Sequence, residues 1–171
     1  MTSNHIYNRL FPLFNNYDYK LKNTYVFMWE SDFFAISSSR YCIEVEVKVS
    51  KADFKADYKK ILWNGITKHD NILNPEYKFK PHKFCFACPE GMIDRKEINP
   101  LYGLIYIKDY NARYIQNPKF LHKDDLFNNP KFLKNLMNKY YYRNLELLKV
   151  LEYRHEDIKY NQKRLYNLYD F

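Results

Sequence analysis

At 171 residues, of which 46% are hydrophobic, the chain is long enough for one domain with a real core, and its composition excludes a disordered protein. No apolar run approaches the ~20 residues that a membrane-spanning helix needs, and the first residues do not resemble a signal peptide. We therefore expect a cytoplasmic protein without a membrane partner. The formal net charge of +8 favours a polyanionic partner, although a low-GC coding bias toward lysine would explain part of it.

Two apolar runs in the first third of the chain, residues 25–29 and 33–36, predict strands that are covered on both faces. Glu30 and Asp32 interrupt these runs. A carboxylate among so much apolar surface is costly unless it is paired, hydrogen-bonded or bound to a metal. The polar residues 37–40 predict the turn of a hairpin, which would carry Asp32 toward the following strand.

That following strand, residues 41–49, alternates strictly between apolar and polar positions. Its β-branched and aromatic face predicts a buried surface. The opposite face carries Cys42, Glu44, Glu46 and Lys48. It is either a solvated face or, with Asp32 beside it, a site. Carboxylates and an amine that meet at the middle of a sheet can hold a divalent metal ion and activate water, which is what a metal-dependent phosphodiesterase requires.

A helix is predicted directly after this strand. Ser50 can cap it, with Asp53 three residues on, and apolar residues then recur at helical spacing as far as Leu62. Residues 64–83 predict a long loop that is either functional or simply solvated. Basic residues that could contact phosphate lie on the helix and in the loop: Lys51, Lys55, Lys59, Lys68 and His69.

The second half predicts the rest of a sheet, with strands at residues 84–87, 104–108 and 112–115. Cys85 and Cys88 have the spacing of half a zinc site, but the segment around them is typical of a buried strand, so we interpret them as core residues. From Lys131 onward, apolar residues at helical spacing predict one long helix or two shorter ones packed against the core.

Asp32 followed by Glu46-Val47-Lys48 resembles the Asp…Glu-x-Lys signature of the PD-(D/E)XK nuclease superfamily. A more specific resemblance is to its MmcB-like DNA-repair branch and related small phage proteins. It is carried by residues 50–54, which continue the signature, and by residues 89–91 followed by residues 102–105. The resemblance covers roughly residues 25–115. It departs from the superfamily pattern in two ways. Ser31 stands where a proline is usual, and no glutamate precedes Glu30, so the ligand that many members take from the first helix is missing or is Glu30 itself.

The resemblance implies an α/β, restriction-endonuclease-like fold: a mixed central sheet flanked by helices in a core of residues 1–122, with residues 123–171 as a helical extension packed on it. It also implies that Asp32, Glu46 and the carbonyl of Val47 bind Mg²⁺, or Mn²⁺ in its place. Lys48 would orient or deprotonate the attacking water. Glu30 and Glu44 would support these groups or add a ligand. The expected partner is DNA, and the expected activity is phosphodiester hydrolysis in DNA repair, recombination or phage DNA processing.

Two alternatives remain open at this stage. A nuclease-like fold can lose its activity and persist as a DNA-binding module. In the second alternative, the chain is a structural or interaction protein that uses its C-terminal helix to join a phage or repair assembly. The oligomeric state is open as well, a dimer included.

Overall fold

The structure is a computed structural model that describes residues 1–169, with side chains described except at position 155 and at positions 157–169. The α-helices of this part are Ser3–Leu13 (α1), Lys51–Asp57 (α2), Lys68–Leu73 (α3) and Pro130–Tyr169 (α4). The strands are Tyr17–Thr24 (β1), Ser31–Ser37 (β2), Cys42–Val47 (β3), Lys83–Pro89 (β4), Gly103–Lys108 (β5) and Asn111–Gln116 (β6). Short 3₁₀ turns occupy Arg95–Glu97 and Leu126–Asn128.

The strands form one six-stranded sheet in the order β1-β2-β3-β4-β5-β6. The β2 strand pairs antiparallel with both β1 and β3. The β4 strand pairs parallel with both β3 and β5, and β6 returns antiparallel to β5. Between β3 and β4 the chain crosses over through α2 and α3. The predicted α/β class, with a mixed central sheet and flanking helices, is confirmed.

The two faces of the sheet are covered by different helices. On one face, Ile6 and Leu10 of α1 pack in a cluster with Ile43 and Val45 of β3. On the other face, Phe54 of α2, Ile72 of α3 and Phe132 of α4 belong to a larger cluster. Successive residues of β3 therefore point to different helices, and its acidic residues face α2 and α3.

Local sequence signals account for the elements around β3. The β2–β3 hairpin closes through Arg40, whose φ of 62° is left-handed, and through the Arg40 N–H, which donates to the Ser37 carbonyl at 2.8 Å. The Ser50 hydroxyl caps α2 by accepting the Asp53 N–H at 3.1 Å, as predicted. The helix is shorter than expected, however, since α2 ends at Asp57 and not near Leu62.

Two expectations are wrong, and one helix lies where the sequence analysis predicts no element. Residues 25–29 are irregular, and the strand beside β2 is β1, which runs through the polar sequence of residues 17–24. The additional helix is α1. Residues 64–83 are not one long loop, because α3 lies within them. Thr67 caps α3 by accepting the Asp70 N–H at 3.1 Å.

The C-terminal segment is one helix within the described residues, and the core contacts of its described side chains come from its first turns. Phe132 is fully buried in the larger cluster, and Leu136 and Tyr140 pack against that cluster. Farther along, Leu147 is 53% exposed and Leu151 60%. The predicted packing on the core therefore holds for the start of α4 and does not extend to the described side chains of residues 147–153. The division at residues 122 and 123 stays a prediction. None of the helices within residues 1–169 combines the length and apolar composition that a membrane crossing requires.

Candidate active site

One cavity of about 540 Å³ brings together the three residues that the sequence singles out. Asp32 lies at the start of β2, Glu46 near the end of β3, and Lys48 directly after β3. The hairpin pairs Phe33 with Val45, which places the N-terminal end of β2 beside the C-terminal end of β3. The cavity opens at this end of the sheet, between α1 and α2, with Tyr7 on its α1 side.

The polar face of β3 is buried and not solvated. Glu44 is 0% exposed, and Glu46 and Lys48 are 4% exposed each. Because a buried charge is costly unless it is paired, this face needs partners, and the structure supplies them from α2 and α3.

Asp32 is held by the backbone of the neighbouring strand. The Val47 N–H donates to its Oδ2 at 2.8 Å. Burial, followed by the nearby charge of Glu46, raises the pKa of Asp32 to about 7. Protonated and ionised forms of the Asp32 carboxyl are therefore both accessible near neutral pH. The described contact of Val47 with Asp32 is made by its N–H, and a role for the Val47 carbonyl as a metal ligand stays a prediction.

Lys48 is a paired ammonium group. Its Nζ lies 3.1 Å from Glu46 Oε2 and 2.8 Å from Asp57 Oδ1. Burial opposes its protonation, but these two carboxylates hold the pKa of Lys48 above its usual value. Lys48 is therefore a donor and a positive charge here. A protonated Lys48 can orient water but cannot accept its proton, and its role toward water stays a prediction.

A second lysine, Lys68, completes the network from α3. Its Nζ lies 2.7 Å from Glu44 Oε1 and is also paired with Glu46 Oε1. Glu44 in addition accepts the Trp29 indole N–H at 2.9 Å. Burial opposes ionisation of Glu46, yet the positive charge of Lys68 holds the pKa of Glu46 below its usual value. Glu44 thus supports Glu46 through a shared lysine and is sealed from the cavity.

The α2 and α3 helices are tied to the site by a buried chain of hydrogen bonds. Asp57 Oδ2 lies 2.8 Å from His69 Nε2, and His69 Nδ1 lies 3.0 Å from the Tyr102 hydroxyl. A carboxylate can only accept, so Nε2 carries the proton that is donated to Asp57. The ring of Tyr58 stacks on His69 at 4.2 Å between centroids. These contacts fix Asp57, and Asp57 in turn fixes Lys48.

The network holds more carboxyl groups than ammonium groups. Four carboxylates (Asp32, Glu44, Glu46 and Asp57) face two ammonium groups (Lys48 and Lys68). With every group ionised, two negative charges are left over. The raised pKa of Asp32 is in keeping with this excess. A divalent cation beside Asp32 and Glu46 would neutralise it.

The donor set fits Mg²⁺ or Mn²⁺, because both prefer oxygen ligands. Mg²⁺ commonly takes one or two protein carboxylates and keeps several waters. No cluster of three or more His, Cys, Asp or Glu residues suited to a metal occurs among the residues that the structure describes. Protein ligation would thus come from Asp32 and Glu46, and the remaining positions would be left to water and a substrate phosphate.

The other candidates comprise three exposed lysines, two buried residues of α3 and Glu30. Lys55 and Lys59 are exposed on and just after α2, and Lys59 lines the cavity together with Lys60, which the sequence did not single out. Lys51 is exposed but lies 2.7 Å from Glu97. Lys68 and His69, expected as phosphate contacts in a loop, are 0% and 3% exposed on a helix, so that expectation is wrong. Glu30 accepts the Tyr25 hydroxyl at 3.2 Å and is not among the residues that line the cavity.

Sequence reasoning missed Asp57, although a signal for it was present. Phe54 and Asp57 are three residues apart on α2, so they share its buried face, and a carboxylate on an apolar helix face needs a partner. The start of α3 was detectable as well. Thr67 and Asp70 have the spacing of a cap and the third residue of a helix.

Comparison with known proteins adds the fold alone. No family model and no curated protein matches the chain. A solved structure of SPO1766, a protein of unknown function from Silicibacter pomeroyi, is similar with a TM-score of 0.62. At 13% identity it covers 89% of this chain, and the match spans 94% of the other chain. The shared fold therefore extends over nearly the whole of both proteins.

Proposed function

We propose that the protein is a metal-dependent nuclease that hydrolyses DNA phosphodiester bonds, a PD-(D/E)XK-type enzyme that acts in the cytoplasm in DNA repair, recombination or phage DNA processing. The observation that carries the proposal is that Asp32, Glu46 and the ammonium group of Lys48 line one cavity, in a network with more carboxyl groups than ammonium groups. A net charge of +8 on the whole chain favours an anionic substrate for so acidic a site.

Each side chain has a distinct task in this proposal. Asp32 and Glu46 would hold Mg²⁺, which when bound lowers the pKa of water and offsets charge on the phosphodiester. Lys48, kept protonated by Asp57, donates hydrogen bonds to the attacking water or to the phosphate oxygens and stabilises the negative charge that develops there. Lys59 and Lys60 at the rim attract the DNA backbone.

The decisive experiment is a cleavage assay on single-stranded, duplex, nicked and branched DNA in Mg²⁺, in Mn²⁺ and in EDTA. We expect cleavage of at least one form with either metal and none in EDTA. Binding without cleavage under all conditions would select the inactive DNA-binding module. The absence of both binding and cleavage would reject the nucleic-acid function altogether.

The pH profile of cleavage should report on Asp32. At low Mg²⁺ the rate should increase about tenfold per pH unit below pH 7 and level off above it, because the metal needs the ionised carboxylate. Higher Mg²⁺ should move the midpoint to lower pH, since a cation favours the ionised form. A midpoint that does not respond to Mg²⁺ would assign the titration to another group.

Binding of DNA should depend on salt through the exposed lysines Lys55 and Lys59. We expect Lys55→Glu with Lys59→Glu to weaken binding to all sequences alike, because backbone contacts position DNA without reading bases. Each lost contact should make the log–log salt dependence shallower by about 0.9 on duplex DNA. Fluorescence anisotropy across a salt series, with EDTA present, measures both effects.

The matched control is Lys134→Glu with Lys149→Glu, which changes the net charge equally at exposed positions of α4. This control should keep most of the affinity and the parent's slope. Equal losses of affinity in the two double variants would mean that the total charge of the protein governs DNA binding, and not specific contacts made by Lys55 and Lys59.

A second candidate function rests on the outer part of α4. Leu147, Leu151 and Tyr153 are at least half exposed there, which is the kind of helix surface through which an interaction protein joins an assembly. A solution mass equal to one chain, together with metal-dependent cleavage, would set this candidate aside. A defined oligomer without cleavage would favour it.

A further inference from the structure

The two tryptophans of the chain have opposite environments. Trp29 is 2% exposed and lies in the core, whereas Trp63 is 81% exposed. Its neighbours Ile61 and Ile66 are also exposed, at 68% and 44%. A buried tryptophan contributes more apolar contact area, and so more stabilisation, than most residues. A tryptophan that is exposed to solvent within a group of exposed apolar side chains therefore suggests a binding contact.

The segment that carries Trp63 is a closed hairpin and not a loose loop. The Leu62 N–H donates to the Ile66 carbonyl at 2.9 Å, and the Gly65 N–H donates to the Leu62 carbonyl at 2.9 Å. Gly65 has a φ of 77°, a conformation that other residues rarely adopt. Leu62 is buried at the base of the hairpin. The fold therefore holds Trp63 outward in a defined position.

Both ends of this hairpin are part of the candidate active site. Lys60 lines the cavity, and its carbonyl accepts the Lys68 N–H at 3.1 Å. Lys68 in turn is paired with Glu46. Trp63 follows Lys60 by three residues, so its Cα lies within about 11 Å of that of Lys60. This upper limit corresponds to about three stacked nucleotides at about 3.4 Å each, so a base at Trp63 would lie at most a few nucleotides from a phosphate at Lys60.

We propose that Trp63 stacks on an unpaired base close to the phosphodiester that the cavity holds. This inference rests on the proposed nuclease function and specifies its substrate. An aromatic side chain beside a basic track is the combination that binds single strands, and Lys59 and Lys60 supply the positive charge at the foot of the hairpin. The base faces of an intact duplex are covered by their neighbours. The ligand is therefore a single strand or an unpaired segment.

The test uses Trp63→Ala and Trp63→Phe, with Tyr153→Ala as an exposed aromatic control on α4. Affinity for a labelled single-stranded oligonucleotide and for the matching duplex is measured in EDTA, and cleavage is measured separately in Mg²⁺. Trp63→Ala should weaken single-strand binding by about 5- to 150-fold. Trp63→Phe should retain most of the affinity, because a phenyl ring still stacks. The intact duplex should respond little to either change.

Intrinsic fluorescence gives a direct readout of the stacking itself. Single-stranded DNA should quench the parent's emission, and this quenching should vanish in Trp63→Phe, which leaves the buried Trp29 as the fluorophore. Suppose that the parent cleaves DNA, and that Trp63→Ala matches Tyr153→Ala both in affinity for single-stranded DNA and in the quenching that this DNA causes. The stacking role is then wrong, and the nuclease function stands. If the parent neither binds nor cleaves any DNA, the proposed function fails on the parent alone, before the variants are compared. Equal losses on single strand and duplex would also overturn base stacking.

Discussion

We expect Asp32→Asn to remove metal-dependent cleavage and, at the same time, to make the metal-free protein more stable. The activity should fall by about a hundredfold or more, because an amide does not supply the negative charge that the metal requires. The stability should increase because the substituted asparagine reproduces the protonated form of the aspartate. The amide's carbonyl oxygen can accept the Val47 N–H, and its NH₂ group can donate to Glu46.

The gain in stability has a defined pH dependence. The pKa of Asp32 is about 7 in the folded protein against an ordinary value of 3.8, so the unfolded chain loses this proton first as the pH rises. Between these two values the parent loses stability with increasing pH, and above about 7 the loss is complete at about 4 kcal/mol. The advantage of Asp32→Asn should therefore grow from about pH 4 to pH 7 and then stay constant.

Urea unfolding in EDTA at several pH values measures this advantage. The matched control is Asp53→Asn, which alters an exposed carboxylate that lines the same cavity. This control should change stability little at any pH. If Asp32→Asn is less stable than the parent above pH 7, the ionised Asp32 does not destabilise the metal-free protein, and the proposed repulsion between Asp32 and Glu46 is wrong.

The parts of the site that the sequence predicts are those that depend on neighbours in the chain. Alternation along β3 places Glu46 and Lys48 on one face, and the β2–β3 hairpin brings Asp32 to them. The Ser50 cap starts α2 at the expected position. Each of these follows from a local periodicity or a short turn, which is why a single sequence was sufficient.

The parts that the sequence does not predict depend on distant packing. Lys68 follows Glu46 by 22 residues, and no local pattern indicates that its amine turns inward to pair with that carboxylate. The strand β1 is an edge strand whose sequence is mostly polar, so apolar periodicity does not mark it. Residues 25–29 are apolar because Val26, Phe27 and Trp29 enter the core from an irregular segment. Burial alone does not distinguish such a segment from a strand.

Lys68 should be the most sensitive position for folding. Lys68→Met keeps the apolar stem and removes the charge, which leaves Glu44 and Glu46 buried without their shared partner. Breaking a buried pair in this way costs roughly 3–5 kcal/mol, a large share of the roughly 5–15 kcal/mol that stabilises a typical domain. Urea unfolding in EDTA gives the loss. The surface control Lys78→Met removes a pair with Asp124 at 3.7 Å and should cost under about 1 kcal/mol.

A rescue variant separates charge from packing. Adding Glu44→Gln to Lys68→Met should recover part of the lost stability, because the glutamine is neutral and its carbonyl oxygen still accepts the Trp29 N–H. A double variant less stable than Lys68→Met would show that the lysine acts through packing and not through its charge.

The same variant connects folding to the metal. In the parent, Lys68 supplies one of the two positive charges that face the four carboxylates, so its loss makes the cavity more negative. Mg²⁺ should then bind Lys68→Met more tightly than the parent, and it should raise the melting temperature of this variant by a larger increment. Lys78→Met should respond to Mg²⁺ as the parent does. An equal Mg²⁺ response in Lys68→Met and the parent would mean that the ion does not bind within reach of Glu46, and the proposed metal position would have to be abandoned.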